Sequence, residues 1–154
     1  MTKNTTKRKR AIVEENSAVG KHRREIYKSA FKQIKLANEA GFYLEAITLI
    51  ESLITDRLES RLSYLDGKDF SFKTIGKLIK KTKQIETDSE LKILIETDLY
   101  QWSDDRNKSL HEMAKIAEGD FSTWDERYLK LKKIASDGMA LLRKIDRQCE
   151  KLKK

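Results

Sequence analysis

Residues 44–65 read Leu-Glu-Ala-Ile-Thr-Leu-Ile-Glu-Ser-Leu-Ile-Thr-Asp-Arg-Leu-Glu-Ser-Arg-Leu-Ser-Tyr-Leu. Leu44, Ile47, Ile50, Leu53, Ile54, Leu58, Leu62 and Leu65 return every three or four positions, the period that places side chains on one face of an α-helix. Opposite them Glu51, Asp56, Arg57, Glu59 and Arg61 interleave charges of both signs. The pattern predicts a helix over about 42–65, ended by the turn signal Asp66-Gly67. An apolar stripe this wide must be covered by other helices, so the stretch decides for a helical bundle.

The same period continues on either side. A first helix is firm over about 22–39, where Ile26, Ala30, Ile34 and Ala37 recur beside Tyr27 and Phe31. Gly20 interrupts any earlier start from Ala11, and Gly41 stands where a C-terminal glycine would. A third helix over about 72–85 carries Ile75, Leu78, Ile79 and Ile85, with Lys77, Lys80, Lys81 and Lys83 around them. Asp88-Ser89 starts a fourth, to 102, through Leu91, Leu94, Ile95, Leu99 and Trp102. A fifth follows over 104–117, capped by Ser103 or Asp104, with Leu110, Met113, Ala114 and Ala117 as its apolar face. Whether the fourth and fifth join or kink near Ser103 stays open. After the break at Glu118-Gly119-Asp120, Thr123 with Glu126 is a capping box for the last helix. That helix bears Trp124, Tyr128, Leu131, Ala135, Gly138, Leu142, Ile145 and Cys149; Trp102 and Trp124 both read as core anchors. The expectation is an all-α fold, an antiparallel bundle of five to six helices. It forms one domain over 11–154 behind a disordered basic tail at 1–10.

Composition agrees. The chain has no proline and only six glycines, and 38% of its residues are charged, which suits helices better than a sandwich or barrel. The single cysteine, Cys149, excludes an internal disulfide and reads as a small core residue, in keeping with a cytoplasmic location. No apolar run approaches a membrane span, and no secretion signal precedes the bundle, so no membrane association is expected. With two histidines and no paired-cysteine spacing, neither a metal nor a cofactor is expected; the absence of a glycine-rich phosphate loop disfavours an ATPase or dinucleotide enzyme. The net charge of +8 is uneven, because residues 1–35 hold 11 Lys/Arg against 3 Asp/Glu while the remainder balances at 22 each. Lys7, Arg8, Arg10, Arg23 and Arg24 in that block, with Lys77, Lys80 and Lys81 on the third helix, are the residues expected to meet RNA phosphates. A solubilising surface is the plain alternative.

Chemistry concentrates in Arg106-Asn107-Lys108-Ser109-Leu110-His111. An imidazole exchanges protons near neutral pH and a guanidinium grips phosphate with a rigid fork of donors, a combination suited to cleaving a phosphodiester without a metal. Asn107 and His111 share a helix face, whereas Arg106 lies about 140° away from His111. The arginine must therefore reach round, come from a looser first turn, or serve another chain's site. The plain alternative pairs Arg106 with Asp105 or another surface acid and leaves His111 on a solvated face. Asp56 and Arg57 are possible auxiliary charges, better explained as an ion-paired surface.

This segment resembles the R-x(4-6)-H signature of the HEPN family, small all-helical domains that include many RNA-cutting toxins and defence proteins. The resemblance spans the bundle from about 22 to 150, with its specific motif confined to the hexapeptide. It implies a metal-independent endoribonuclease of toxin or anti-phage type, with Arg106, Asn107 and His111 as catalytic residues of a composite site in a homodimer. The product would end in a 2′,3′-cyclic phosphate, and an antitoxin protein is an implied partner. In a subgroup of the family a tyrosine two residues after the histidine is modified by a partner nucleotidyltransferase; Met113 stands there, which puts that mode of silencing in doubt. The competing expectations are a non-catalytic helical module binding RNA or a protein partner, and a structural protein that dimerises along its second and last helices.

Overall fold

The computed structural model describes residues 17–68, 70 and 73–153, and every regular element among them is helical. In order these are α1 (Ala18–Ala40), α2 (Tyr43–Asp66), α3 (Ile75–Ile85), α4 (Ser89–Ile93), a π-helical stretch (Leu94–Leu99), α5 (Tyr100–Glu112) and α6 (Trp124–Lys151). The expected all-α bundle is what forms. No described helix is long and apolar enough to cross a membrane.

Helix α2 is the central post. Ile47, Ile50, Ile54, Leu58 and Leu62 are fully buried, against Ile34 and Ala37 of α1, Leu78 of α3 and Leu131, Leu142 and Ile145 of α6 in one core. Helices α1 and α2 run antiparallel, shown by Gln33 bonded to Glu45 near their junction and Arg23 paired with Asp56 further along. The contact between α2 and α6 is parallel. Tyr128 donates to Gly41 O at 2.5 Å beside the start of α2, while Arg57 further along reaches Asp146 at 2.5 Å and Glu150 at 3.0 Å. Antiparallel packing thus describes α1 against α2, while α6, and α3 from residues 73–76 beside Ser52 to Lys81 beside Asp66, run the same way as α2.

The predicted ends are seen where a specific local bond defines them. Gly41 and Gly67 close α1 and α2 in left-handed conformations, φ 80° and 66°, that a side chain adopts only with strain. Asp88 caps α4 through Leu91 N at 2.7 Å, and the capping box of Thr123 with Glu126 opens α6.

Four expectations are corrected. Gly20 does not interrupt α1; it is buried in the first turn and donates its N–H to Ser17 Oγ at 3.0 Å. Ile26 and Leu44 are exposed, because Tyr27, Ile34 and Ala37 define the inner face of α1 and Leu44 lies in the first turn of α2. No cap forms at Ser103 or Asp104: α4, the π stretch and α5 are one uninterrupted rod, through which Leu91, Ile95, Leu99 and Trp102 stay buried. The wider π turn absorbs the join without a break. Trp124 is 59% exposed, since it starts α6 at the end of the bundle, where the Tyr128 ring stacks 6.4 Å away. Trp102 is the anchor that was expected. Its Nε1 donates to Ile134 O at 2.9 Å, and a Cβ on Gly138 would lie 2.7 Å from that nitrogen. Glycine there lets α5 and α6 approach closely enough to seat the indole.

Candidate functional site

The hexapeptide lies on α5, not at a helix start, and Trp102 fixes that helix against α6 one turn before it. Arg106 turns inward to α2: its Nη1 bonds Glu51 Oε2, and its Nη2 donates to Asn107 Oδ1 at 2.8 Å. The guanidinium is largely buried, 5.9 Å from the Trp102 ring centre, with its Nε unpartnered. Asn107 is exposed, and because its Oδ1 is taken by Arg106, its amide N–H groups remain available. His111 is exposed one turn further on, with no hydrogen bond to another described residue. Arg106 and Asn107 are therefore brought together, and His111 is left facing solvent. The plain alternative is met in both respects: Arg106 has an acidic partner, Glu51 rather than Asp105, which accepts from Gln101 at 2.9 Å, and His111 lies on a solvated face.

The helix carrying the motif ends at Glu112, short of the expected 117, and Ala114 and Ala117 are exposed. Arg127 of α6 explains the stop. Its Nη1 donates to Glu112 O at 2.6 Å and Lys115 O at 2.5 Å, while its Nε donates to Ser122 Oγ at 3.0 Å. One guanidinium thus satisfies carbonyls left over at the helix end and ties down the following loop. That loop and the start of α6 expose Ile116 and Phe121 beside Trp124.

Beside Arg106 and Asn107 an open groove runs between α2 and residues 73–76 at the start of α3, with a volume of about 540 Å³. Thr48, Glu51, Ser52 and Thr55 line its α2 wall. Sequence reading missed these residues and Lys73. Glu51 is one acid among many in α2, and nothing in its spacing marks it as the partner of an arginine 55 positions away. Arg127 was also missed, although it follows directly on the capping-box residue Glu126.

Asp56 and Arg57 do not face this motif. Asp56 accepts from Arg23 and from the Tyr27 hydroxyl, stapling α1 to α2. Burial, reinforced by Asp56, pushes the Tyr27 hydroxyl well above the usual phenol range. Arg57 lies 4.4 Å over the Tyr27 ring and pairs with Asp146 and Glu150. Of the expected phosphate-binding residues, Lys7, Arg8 and Arg10 lie outside the described residues. Arg23 is committed to Asp56, and Lys81 is half-buried, 3.9 Å from Asp66 and over the Phe70 ring. Arg24, Lys77 and Lys80 are exposed. Cys149 is a buried core thiol pushed up to about 11 by burial, an inert setting. No family model, curated protein or solved structure matches this chain.

Proposed function

We propose that the protein is a metal-independent endoribonuclease of the HEPN type, acting in toxin or anti-phage defence as a homodimer. The observation that carries the reading is Arg106, anchored by Glu51 and Asn107 at the end of a groove, with His111 exposed one turn along the same helix. In this reaction the RNA 2′-oxygen bonds to phosphorus as the bond to the 5′-oxygen breaks. The 2′-hydroxyl gives its proton to a base, and the leaving 5′-oxygen takes one from an acid. His111 serves one of these roles, and proton transfer of this kind contributes about 10²–10⁴ in rate. Arg106 stabilises the charge gathering on the phosphate, and the Asn107 amide positions it.

Arg106 faces α2 while His111 faces solvent, so one chain does not converge both on one phosphate. A second copy offers its own His111 to the first chain's Arg106. Ile116, Phe121 and Trp124 beside the motif helix are apolar side chains that such a contact would cover. The antitoxin remains a proposed partner on the resemblance alone.

The test is RNA cleavage in the presence of a chelator, comparing wild type with Arg106→Ala and His111→Ala. Products ending in a cyclic phosphate, reduced by about 10²–10⁴ with His111→Ala, are expected. A folded wild type that cuts no RNA from a total cellular pool, yet binds it in a salt-sensitive way, would instead favour a non-catalytic RNA-binding module. The exposed Lys77, Lys80 and Lys83 on α3 are the observation behind that second reading.

A further inference from the structure

The groove beside Arg106 has a charge inventory that points to its occupant. Three carboxylates border it or its inner continuation, and all are committed. Glu51 holds Arg106, Asp56 holds Arg23 and Tyr27, and the buried Glu59 accepts from Lys73 N at 2.9 Å. The Lys73 ammonium is exposed and has no acidic partner among the described residues. Thr74 begins α3 without using its hydroxyl as a cap, and the Ser52 hydroxyl across the groove bonds no other described residue. The available groups are thus one cation, two hydroxyls and the Asn107 amide. None of the described lining residues is aromatic, so the groove offers polar and charged contacts rather than a stacking platform. Its volume, about 540 Å³, lies within the roughly 300–1,000 Å³ of small-ligand sites.

We infer that the groove seats one nucleotide of a single-stranded RNA next to the phosphate held at Arg106, with Lys73 on its phosphate and Ser52 and Thr74 on its ribose 2′-hydroxyl. The inference rests on the nuclease reading for the strand's direction of approach. A recess of this size takes a splayed nucleotide and not the broad backbone of an A-form duplex, and contacts to the 2′-hydroxyl distinguish RNA from DNA. The groove therefore selects single-stranded RNA, and the strand leads from it past Arg106 and Asn107, where the second copy's His111 meets it.

The experiment separates binding from cutting. Binding of a fluorescent single-stranded oligoribonucleotide is measured with full-length His111→Ala protein, alone and combined with Lys73→Glu or Ser52→Tyr. The same strand as DNA and as an RNA duplex provides the comparison. The expected result is an affinity about tenfold weaker in each groove variant and about tenfold weaker for DNA or duplex. With His111 restored, the loss should appear in KM more than in kcat. Lys73→Gln, which removes only charge from an exposed side chain, carries the test if Ser52→Tyr lowers the melting temperature. Groove variants that bind as tightly as their parent, or duplex that binds as tightly as single strand, overturn the inference even if wild type cleaves RNA. Weakened single-strand binding in a protein that never cleaves leaves the groove standing and removes the nuclease reading.

Discussion

Two arginine–glutamate pairs tie α2 to later parts of the chain, Arg61 to Glu86 at the end of α3 and Glu51 to Arg106 of α5, and they differ in how they are enclosed. Arg61 and Arg106 are buried alike, with side chains 13% and 11% exposed, but Glu86 is 0% exposed while Glu51 is 28% exposed. Arg61 holds Glu86 with two bonds, Nε at 3.0 Å and Nη2 at 2.8 Å, and Glu86 Oε1 also accepts from the N–H groups of Thr87 and Asp88 at 2.9 Å each. Asp88 in turn accepts from Gln148 of α6 at 3.0 Å, so the cluster locks three elements together. Arg106 spends one nitrogen on Glu51 and another on a neighbouring exposed amide, and keeps an unpartnered Nε. Each arginine spends two nitrogens, but Arg61 spends both on one enclosed carboxylate, which makes it a structural joint. Arg106 divides its bonds, and with its Nε enclosed, the second N–H on each Nη is what it keeps beside the open groove for something that arrives from solvent.

The sharpest way to break this contrast is Glu86→Ala. It strands a buried guanidinium and two backbone N–H groups, and a loss of about 3–5 kcal/mol in unfolding free energy is expected from denaturant titration. The pH dependence follows the same cluster. Burial alone pushes the Glu86 carboxyl up, but the Arg61 hydrogen bond and the backbone N–H groups outweigh it and hold it below the ordinary range. A carboxyl depressed in the folded state stabilises above its unfolded value of about 4.3 and loses that contribution as pH falls through the folded value. Wild type should therefore lose stability below about pH 4, and Glu86→Gln should flatten that acid limb in thermal melts.

Gly138→Ala tests whether the motif helix depends on its seat. The added carbon would meet the indole 2.7 Å away, so Trp102 must shift and loosen its bond to Ile134. A destabilisation of about 1–3 kcal/mol is expected, with RNA cleavage reduced although no proposed catalytic group has changed. Arg127→Ala is next in size. Freeing the Glu112 and Lys115 carbonyls should cost about 1–2 kcal/mol and speed amide hydrogen exchange from 112 to 122, leaving α2 unaffected.

These residues also show how far the sequence could be read. The period of α2, the glycines at 41 and 67 and the Thr123–Glu126 box act through neighbours a few positions away, and each was legible. Trp124 was misread because the period of α6 continues past the end of the bundle, where nothing covers it. Ser103 was misread as a cap because a π turn leaves no mark in a hydrophobic pattern. Within the candidate site, Arg106, Asn107 and His111 could be singled out as one segment, but the wall opposite them could not. Glu51, Ser52, Lys73 and Thr74 meet Arg106 only through tertiary packing, and their residue types are common on any solvated helix face.

Glu51→Gln is the smallest change and the one that most sharpens the comparison. Its carboxylate is partly exposed and its partner keeps Asn107, so a stability change under about 1 kcal/mol is expected, far below that of Glu86→Ala. Glutamine retains an oxygen to accept from Arg106 Nη1, which preserves the guanidinium's direction, but removes a negative charge from the groove wall. If Arg106 is a phosphate ligand restrained by Glu51, single-stranded RNA should bind the variant several-fold more tightly, and the dependence of log Kd on log salt should steepen by up to about one. If Arg106 is a joint like Arg61, the gain should be only what the lost wall charge supplies and should persist when Arg106 is replaced. Anisotropy titrations at two salt concentrations, made for Glu51→Gln with Arg106 present and with Arg106→Ala, decide between these outcomes, because only a phosphate-binding arginine makes the gain depend on Arg106.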